Sequence, residues 1–347
     1  MKRLAFILLA LFVRPTSAAS ATLLAAPENG RALIRATGGE IAVLDPVSLR
    51  RVWTGAGVRN PTLLVVSEEG RWAAAVDPIT NEVAIANLSN ATSRVIEVPE
   101  TPVAAAFHDG ALFVLSRDAA LLTRVDPADA SIRSVAVPPA SSHLLVTRHG
   151  AIAYAALTGD AARVDPESLA LLARRALPRF GSDLASDGAA GYLVEPRSGR
   201  LTVFSLETLA ILEERAAGAV PVDVEMEAPA NAARGAKIAI ADPSSKRVWR
   251  DEGAQSTAAA VGRGFLRGLL SLGLYNPSSA AFPSGVDRLA VTGGRIFAFD
   301  SSTGTLWLVR GERATELARS VAWGAFAPVG NVVWIARGTS TERVSLP

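Results

Sequence analysis

The histidines are the first residues to consider for chemistry, because imidazole is the commonest metal ligand and an effective general base. The chain has three of them, His108, His143 and His149, and it has no cysteine. No two histidines stand at the short spacings that zinc sites use, and there is no thiolate to complete such a site. The sequence therefore predicts no metal centre and no other bound cofactor.

Motifs of covalent catalysis and of nucleotide binding are missing from the sequence as well. It contains no G-x-S-x-G nucleophile elbow, no P-loop and no EF-hand pattern. The glycine-rich stretch GRGFLRG at 262–268 follows no clear strand and does not continue into Gly-Lys-Ser/Thr, so it does not predict a phosphate cradle. No catalytic residue is predicted.

Charged residues at turns are the remaining candidates, and they favour binding over catalysis. Arginine is favoured at protein interfaces, and several arginines and aspartates occupy turns that follow the second or fourth strand of the repeat described below. Such turns lie at one end of their sheets, so these side chains are expected to share one rim of the molecule, although each one alone is an ordinary solvated loop residue. The candidate partner-binding residues in these turns are Arg59, Asp77, Arg117, Asp118, Asp160, Arg179 and Arg197.

A second set of polar turns follows the first strand of the repeat. His108-Asp109, Arg148-His149 and Glu68-Glu69 occupy equivalent hairpin tips in successive units. They are expected to share the opposite rim, where polar residues are normal turn residues. A ligand site among them is the less favoured interpretation.

The charge balance argues against a nucleic-acid-binding protein. The chain has 35 lysine and arginine residues and 33 aspartate and glutamate residues, a formal net charge of +2. Lys2, Arg3 and Arg14 lie in the amino-terminal segment described next, and without them the net charge is slightly negative. No basic run is interleaved with aromatic residues. Nucleic acid is therefore not expected as a partner.

Residues 1–19 have the pattern of a secretory signal peptide. A short basic start precedes an apolar stretch at 4–13, which is too short to span a bilayer as a helix. Small residues follow, and cleavage after Ala19 or after Ala21 fits the small-x-small rule. We therefore predict an exported chain, periplasmic or extracellular, whose mature part does not span a membrane. An uncleaved anchor is the alternative, because Arg14 interrupts the pattern.

A glycine between two apolar runs recurs about every forty residues, a period typical of repeat architectures. In the unit at 99–138, four short strand-like runs are separated by turn residues. Runs of this length bounded by Gly, Pro, Asp, Asn or Ser predict consecutive antiparallel hairpins. The recurring glycines are Gly30, Gly70, Gly110, Gly150, Gly191, Gly235, Gly294 and Gly330.

One such unit has too little apolar surface to offset the entropy of ordering it, so the units must stack. Radial stacking covers both faces of every unit and leaves only short edges. We therefore predict an all-β fold, a β-propeller of four-stranded antiparallel blades over 20–347. Eight glycines predict eight blades with the last one incomplete, and seven blades are the alternative. The small residues Ala104, Ala105 and Ala106 predict a first strand at the crowded axis.

Three phrases, each interpreted as a third strand leading into a fourth, carry a resemblance to a known group of propellers. They are IAVLDPVSLRRVW (41–53), IAIADPSSKRVW (238–249) and FAFDSSTGTLWLV (297–309). Each joins an aspartate, a turn and a tryptophan, and in this the chain resembles the YVTN-type and quinoprotein-like β-propellers of bacterial envelopes. The resemblance implies that the tryptophan docks one blade on the next. It implies a fold and no particular activity.

The step from Gly235 to Gly294 is 59 residues, well above the repeat. The excess lies at 261–279, where several apolar residues stand at helical spacing. One interpretation is a short helix or loop that plugs the propeller. The other is an exposed apolar element that docks on a partner or a membrane surface, with Phe265 and Leu269 as contact residues.

Binding is the function that these observations favour. We expect a secreted or periplasmic, monomeric, non-enzymatic β-propeller that presents its loops to a protein partner or a cell-envelope component. The alternative is a propeller-type enzyme, either a lactonase-like metal-dependent hydrolase or a quinone-dependent dehydrogenase. For the hydrolase, the resemblance implies a cluster of Asp, Glu and Asn around an axial metal. For the dehydrogenase, it implies more docking tryptophans than the repeats of this chain contain.

Overall fold

The structure, a computed structural model, describes residues 22–27, 30–228, 237–252, 279–292, 295–337 and 340–347. Across these ranges the chain forms 31 strands and no helix. No helix there could therefore cross a membrane. The strands form eight antiparallel sheets in which sequence neighbours pair. The sheets are the blades of a β-propeller, so the predicted fold and the predicted count of eight blades are confirmed.

The first four blades each contain four strands. Blade 1 consists of β1 (Leu23–Ala25), β2 (Leu33–Thr37), β3 (Glu40–Leu44) and β4 (Arg51–Ala56). Blade 2 consists of β5 (Leu63–Val66), β6 (Trp72–Asp77), β7 (Glu82–Asn87) and β8 (Thr92–Glu97). Blade 3 consists of β9 (Pro102–His108), β10 (Ala111–Ser116), β11 (Leu121–Val125) and β12 (Ile132–Ala136). Blade 4 consists of β13 (His143–Thr147), β14 (Gly150–Tyr154), β15 (Asp160–Val164) and β16 (Leu171–Ala176).

The last blade is incomplete, as predicted, because its sheet has three strands within the described ranges. Blade 5 consists of β17 (Asp183–Ser186), β18 (Ala190–Glu195), β19 (Arg200–Ser205) and β20 (Ile211–Ala216). Blade 6 consists of β21 (Asp223–Ala228), β22 (Lys237–Asp242), β23 (Arg247–Glu252) and β24 (Ser279–Ala281). Blade 7 consists of β25 (Arg288–Thr292), β26 (Arg295–Asp300), β27 (Thr305–Arg310) and β28 (Arg313–Ala318). Blade 8 consists of β29 (Phe326–Val329), β30 (Val332–Arg337) and β31 (Ser340–Ser345).

The first strand of each blade lies at the axis, where it contacts the first strand of at least one neighbouring blade. The fourth strand lies at the circumference. We call the face that carries the fourth-to-first connections and the second-to-third turns the upper rim. The opposite face, with the first-to-second and third-to-fourth turns, is the lower rim.

Burial follows the position of a strand within its blade. The second strands β6 and β10 are buried along their whole length, whereas the fourth strands β4 and β16 are mostly exposed. Both faces of a middle strand meet a neighbouring blade, so its residues are apolar on both sides. The predicted small-residue first strand is present in β9, but β5 and β13 carry leucine and valine. In blade 2 the alanines lie in the middle strands instead.

Each junction between blades has its own hydrophobic cluster, so the core is distributed around the ring. The ring closes where Leu24 and Leu33 of blade 1 pack against Ala327 and Trp334 of blade 8. The indole Nε1 of Trp334 donates to the carbonyl oxygen of Pro46 at 3.0 Å. Each sheet is thus sheltered by the sheets on either side, which is what makes a single unit dependent on its neighbours.

One of the eight glycines was assigned to the wrong position by the sequence pattern. Gly191 lies inside β18, and the turn before that strand uses Gly188, whose φ is +81°. A Cβ at position 191 would overlap the ring of Phe204, so this glycine makes room for a side chain. Gly30, Gly70, Gly110, Gly150 and Gly330 lie at first-to-second turns as predicted, and Gly235 and Gly294 lie outside the described residues.

The three phrases that carried the family resemblance do not occupy one position in the repeat, contrary to our interpretation. The phrase at 41–53 joins the third and fourth strands of blade 1, but those at 238–249 and 297–309 join second and third strands. Trp249 and Trp307 accordingly pack towards the preceding blade, whereas Trp53 packs towards blade 2. Middle strands share one apolar pattern, so the phrases look alike in sequence although their positions differ.

The long step in blade 6 falls between β23 and β24, at a third-to-fourth turn on the lower rim. Ser279 begins β24, and the rest of the 261–279 segment lies outside the described residues. The plug and the docking element therefore both stay predictions.

Candidate functional site

The predicted rim residues lie on one face of the ring, the upper rim. Arg59 and Arg179 are in fourth-to-first connections, and Arg117 and Arg197 are in second-to-third turns. Asp160 begins the third strand of blade 4 at the same rim. Asp118 receives a bond from the Arg117 guanidinium (Nε to Oδ1, 2.8 Å) and another from the Thr101 hydroxyl at 2.7 Å. Phe265 and Leu269 lie outside the described residues.

Asp77 differs from the other rim candidates because its carboxylate is buried. Its oxygens accept the backbone N–H of Asn60 at 2.8 Å and that of Ile79 at 2.9 Å, which ties a fourth-to-first connection to a second-to-third turn. Despite the cost of burial, these hydrogen bonds hold the pKa of Asp77 below its ordinary value. Asp242 and Asp300 end the second strands of blades 6 and 7 and accept similar bonds. We conclude that these aspartates shape the rim's loops.

An arginine lies over an exposed aromatic ring between blades 4 and 5. The guanidinium carbon of Arg197 lies 3.7 Å from the centroid of the Phe180 ring, close enough for a cation–π contact. Phe180 is 37% exposed, so the stacked pair faces solvent. Arg179 stands beside it, its Nε donating to the carbonyl oxygen of Thr158 at 3.1 Å. Aromatic residues and arginine together are typical of protein-interface hot spots.

The loop that presents Phe180 is fixed by a buried tyrosine. The Tyr154 hydroxyl donates to the carbonyl oxygen of Pro178 at 2.6 Å and accepts the N–H of Gly181 at 3.0 Å. Burial raises the pKa of Tyr154 to about 12, so the phenol keeps its proton. The Phe180 N–H also donates to the carbonyl oxygen of Ala156 at 2.6 Å. These hydrogen bonds therefore fix the connection that carries the Phe180 ring.

Phe180 has a left-handed backbone with φ of +63°, which is unfavourable for an aromatic residue. The preceding connection has Ala140 at the matching position, with φ of +57°. The turn shape therefore needs no aromatic side chain there. The ring at position 180 thus adds backbone strain and remains exposed without being required by the turn itself.

A second exposed aromatic ring lies on the same rim, between blades 7 and 8. Trp323 is 38% exposed, and the guanidinium of Arg288 lies 5.4 Å from its ring centroid. Behind it, Phe299 and Phe326 pack at centroid distances of 5.5 and 5.7 Å. Within the described ranges, Phe180 and Trp323 are the exposed phenylalanine and tryptophan side chains, and an arginine lies over each ring.

Four successive first strands begin with polar residues at the upper mouth of the axis. These residues are His143, Asp183, Asp223 and Arg288. The Val224 N–H donates to Asp183 Oδ2 at 3.0 Å, and the Leu289 N–H donates to Asp223 Oδ2 at 2.8 Å. His143 Nε2 donates to the carbonyl oxygen of Ser182 at 2.8 Å. These bonds each join one blade to the next, so the polar residues connect blades 4 to 7.

Asp183, Asp223 and Glu225 form what we call the axial acid cluster. Burial and the neighbouring Asp223 carboxylate raise the pKa of Asp183 well above its ordinary value. Burial also raises the pKa of Asp223, and it raises that of Glu225 to about 8. Burial lowers the pKa of His143, which is therefore neutral at neutral pH. Burial thus favours the protonated form of all three carboxyl groups.

Sequence reasoning missed the acid cluster, Phe180 and Trp323. A signal for the acids was present, because Asp223 and Glu225 interrupt a strand in which apolar residues are expected. Phe180 could have been found by aligning Pro138-Pro139-Ala140 with Pro178-Arg179-Phe180 in the next unit. Nothing in the sequence shows that Arg197 lies over Phe180, because that contact depends on how two turns meet.

At the polar tips of the lower rim, His149 contacts the next blade, whereas His108 contacts its own hairpin turn. His149 Nε2 lies 3.1 Å from the carbonyl oxygen of Gly188, and its Nδ1 lies 3.8 Å from a Glu207 carboxylate oxygen. His108 pairs with Asp109 at 3.4 Å. Among the residues that the structure describes, no three histidine, aspartate or glutamate side chains are arranged to hold a metal ion.

Comparison with known proteins identifies the fold and no family. No family model matches the chain, and neither does any curated protein. The computationally designed Ika8 protein matches with a TM-score of 0.70 at 12% identity, over 94% of this chain and 96% of its own. Sqt1 of Saccharomyces cerevisiae matches with a TM-score of 0.66 at 12% identity, over the same shares. Hydrazine synthase of Kuenenia stuttgartiensis matches with a TM-score of 0.55 at 13% identity, over 83% of this chain and 94% of its own. The likeness shows an eight-bladed β-propeller fold.

Proposed function

We propose that this protein is an exported, non-enzymatic β-propeller that holds a protein partner or a cell-envelope component on its upper rim. One observation carries the proposal. The two exposed aromatic rings of the described residues, Phe180 and Trp323, both lie on this rim with an arginine against each. Interface hot spots are enriched in this combination, because a rigid ring and a weakly hydrated cation lose little on desolvation.

The predicted arginines extend this surface around the ring. Arg59, Arg117 and Arg179 are exposed on the same rim as Arg197. Arg117 is held by Asp118, so its guanidinium keeps one orientation. A partner that covers the rim would meet aromatic anchors in two sectors and arginines between them, which is a suitable pattern for a broad protein surface.

The test is capture of partners by the mature chain, lacking 1–19, from a cell-envelope extract. We expect the double variant Phe180→Ser with Arg197→Ala to lose the proteins that the parent chain retains. The matched control is Val47→Ser on the lower rim, because Val47 is 83% exposed and its loss removes a comparable apolar group. Equal recovery by the rim variant and the parent chain would contradict the proposal.

Export is part of the proposal and has a separate test. The pattern of residues 1–19 supports cleavage after Ala19 or Ala21. Amino-terminal sequencing of protein from the envelope fraction is expected to begin at Ser20 or Thr22. Recovery of the full chain, starting at Met1 and remaining in the cytoplasm, would overturn this part.

Kinship with the YVTN-type and quinoprotein-like propellers is also proposed and not established. Support comes from the phrase at 41–53, which spans the third and fourth strands of blade 1, and from tryptophans that pack at blade junctions. The enzymatic alternative is tested by metal analysis and an absorbance spectrum of the purified protein. Stoichiometric metal or a quinone chromophore would contradict a purely binding role.

A further inference from the structure

The outer strands of blades 4 and 5 carry an exposed aliphatic surface. β16 begins with Leu171 and Leu172, which are 53% and 45% exposed, and β20 begins with Ile211 and Leu212, which are 45% and 60% exposed. The two pairs occupy the same positions in neighbouring blades. Exposed aliphatic side chains grouped on adjacent elements mark an interaction surface more often than scattered ones do.

The same backbone irregularity directs both pairs outwards. In blade 4, Leu171 pairs with Val164 and Ala173 with Arg163, so Leu172 is the extra residue of a β-bulge. In blade 5, the pairs Ile211–Phe204 and Glu213–Val203 make Leu212 the extra residue. Bulges turn a side chain away from the regular pleat and are built into a fold rather than accidental. Leu172 and Leu212 therefore project from the circumference at equal height.

Charges of opposite sign follow the aliphatic pairs. β16 continues with Arg174 and Arg175, both exposed, whereas β20 continues with Glu213 and Glu214. Among the described residues, neither arginine of β16 forms an ion pair. Glu214 contacts Arg200 at 2.6 Å and Glu213 contacts Arg215 at 3.5 Å, both within blade 5.

We propose that a second copy of this chain docks on this surface, with blade 4 of each copy against blade 5 of the other. A twofold axis parallel to the propeller axis produces this arrangement and preserves the height of every residue. Leu172 then meets Leu212 of the other copy, and Arg174 meets Glu214. The symmetry forms the contact twice, which doubles the buried area, as in other isologous dimers.

A second copy explains the surface better than a membrane does. An anionic bilayer would attract the arginines of β16, but it would repel the glutamates of β20 beside them. Arg174 and Glu214 occupy the same position in their blades, so a second copy of this chain offers each of them the opposite charge. The dimer replaces the monomer expected from the sequence, and it does not depend on the function proposed above.

The experiment is sedimentation of the purified mature chain across a dilution series, without any partner. The parent chain is expected to sediment as a dimer, and Arg174→Glu or Glu214→Arg is expected to weaken the dimer at least about tenfold. The double variant with both changes restores the opposite charges across the interface and is expected to restore the dimer. Val52→Lys is the control, because Val52 is the extra residue of the equivalent bulge in blade 1 and is 68% exposed.

Thermal unfolding of each variant shows whether a lost dimer reflects misfolding, which matters for Glu214 because of its pair with Arg200. Four results would overturn the proposal. They are a parent chain that is monomeric throughout the series, a dimer unaffected by Arg174→Glu, a folded double variant that stays monomeric, and a dimer that Val52→Lys disrupts equally.

Discussion

At the scale of single residues, burial at the axis makes stability depend on pH through the axial acid cluster. Asp183 and Asp223 accept backbone N–H groups from the next blade, and these hydrogen bonds hold their carboxyl groups at the axis. Glu225 stands two residues further along the same strand as Asp223. The cost of desolvating three neighbouring carboxylates is reduced when they keep protons.

We expect the protein to become less stable as the pH rises from about 5 to about 8. The pKa of Glu225 is about 8 in the fold and 4.5 in its absence, and the pKa values of Asp183 and Asp223 are shifted upwards too. A group with a raised pKa contributes its full stabilisation below the unfolded pKa and loses it as the pH rises through the folded value. Thermal unfolding midpoints measured across this pH range check the expectation.

Glu225→Gln is expected to raise the free energy of unfolding at pH 8 by on the order of 1–2 kcal/mol and to flatten the pH profile. Glu69→Gln, an exposed turn residue, serves as the control and should leave the profile unchanged. If the stability of both variants depends on pH as steeply as that of the parent chain, the acid cluster does not control the pH dependence of stability.

The buried turn aspartates act in the opposite pH direction. Hydrogen bonds lower the pKa of Asp300 to about 2 and hold that of Asp242 below 3.8, so their stabilisation is lost as the pH falls through these values. Asp242→Asn is expected to cost about 1–3 kcal/mol, because buried N–H groups lose a charged acceptor. Urea unfolding measures this, with Asp118→Asn at the exposed rim expected to change stability by less than about 0.5 kcal/mol.

At the scale of elements, the connection at 177–182 shows how a buried side chain controls an exposed loop. Tyr154→Phe removes both hydrogen bonds to this connection and is expected to cost about 1–2 kcal/mol. Hydrogen exchange should increase at 179–182 while the strands of blade 4 stay protected. Unchanged exchange in this connection would show that the tyrosine does not position Phe180.

Gly191, inside strand β18, leaves room for the ring of Phe204. Gly191→Ala is expected to destabilise the protein by about 2 kcal/mol or more, because the new Cβ would overlap the Phe204 ring. In Gly188→Ala the new Cβ would contact no neighbouring atom. This change is expected to reduce the free energy of unfolding by only about 1 kcal/mol, because alanine is unfavourable at a positive φ. Equal effects of the two changes, measured by urea unfolding, would refute the packing role of Gly191.

These elements also show what the sequence could predict. The period and the turn glycines were predictable, since a tight first-to-second turn needs a positive φ at Gly70 or Gly110. The strand positions of the Asp-turn-Trp phrases were not predictable, because the second and third strands of a blade are buried alike. The upper-rim location of Arg179 and Arg197 followed from strand order. The contacts that these two arginines make could not be predicted in this way, because they depend on how neighbouring loops meet.

At the scale of the whole molecule, the ring places two kinds of surface on different faces. The upper rim carries Phe180, Trp323 and their arginines, and the circumference of blades 4 and 5 carries the aliphatic surface proposed for the dimer. Phe180 lies in the connection between those same two blades. In the proposed dimer, both upper rims therefore face the same side, and the two Phe180 sectors lie next to each other. A partner with two binding segments would gain avidity from this arrangement.

Photo-crosslinking from the upper rim tests whether this face binds a partner. A photoreactive amino acid is placed at position 180 or position 323 of the exported chain, and at position 47 of the lower rim as the control. We expect a specific crosslinked partner from both upper-rim positions and none from position 47. Crosslinks that are equal from the two rims, or that form only from position 47, would contradict it.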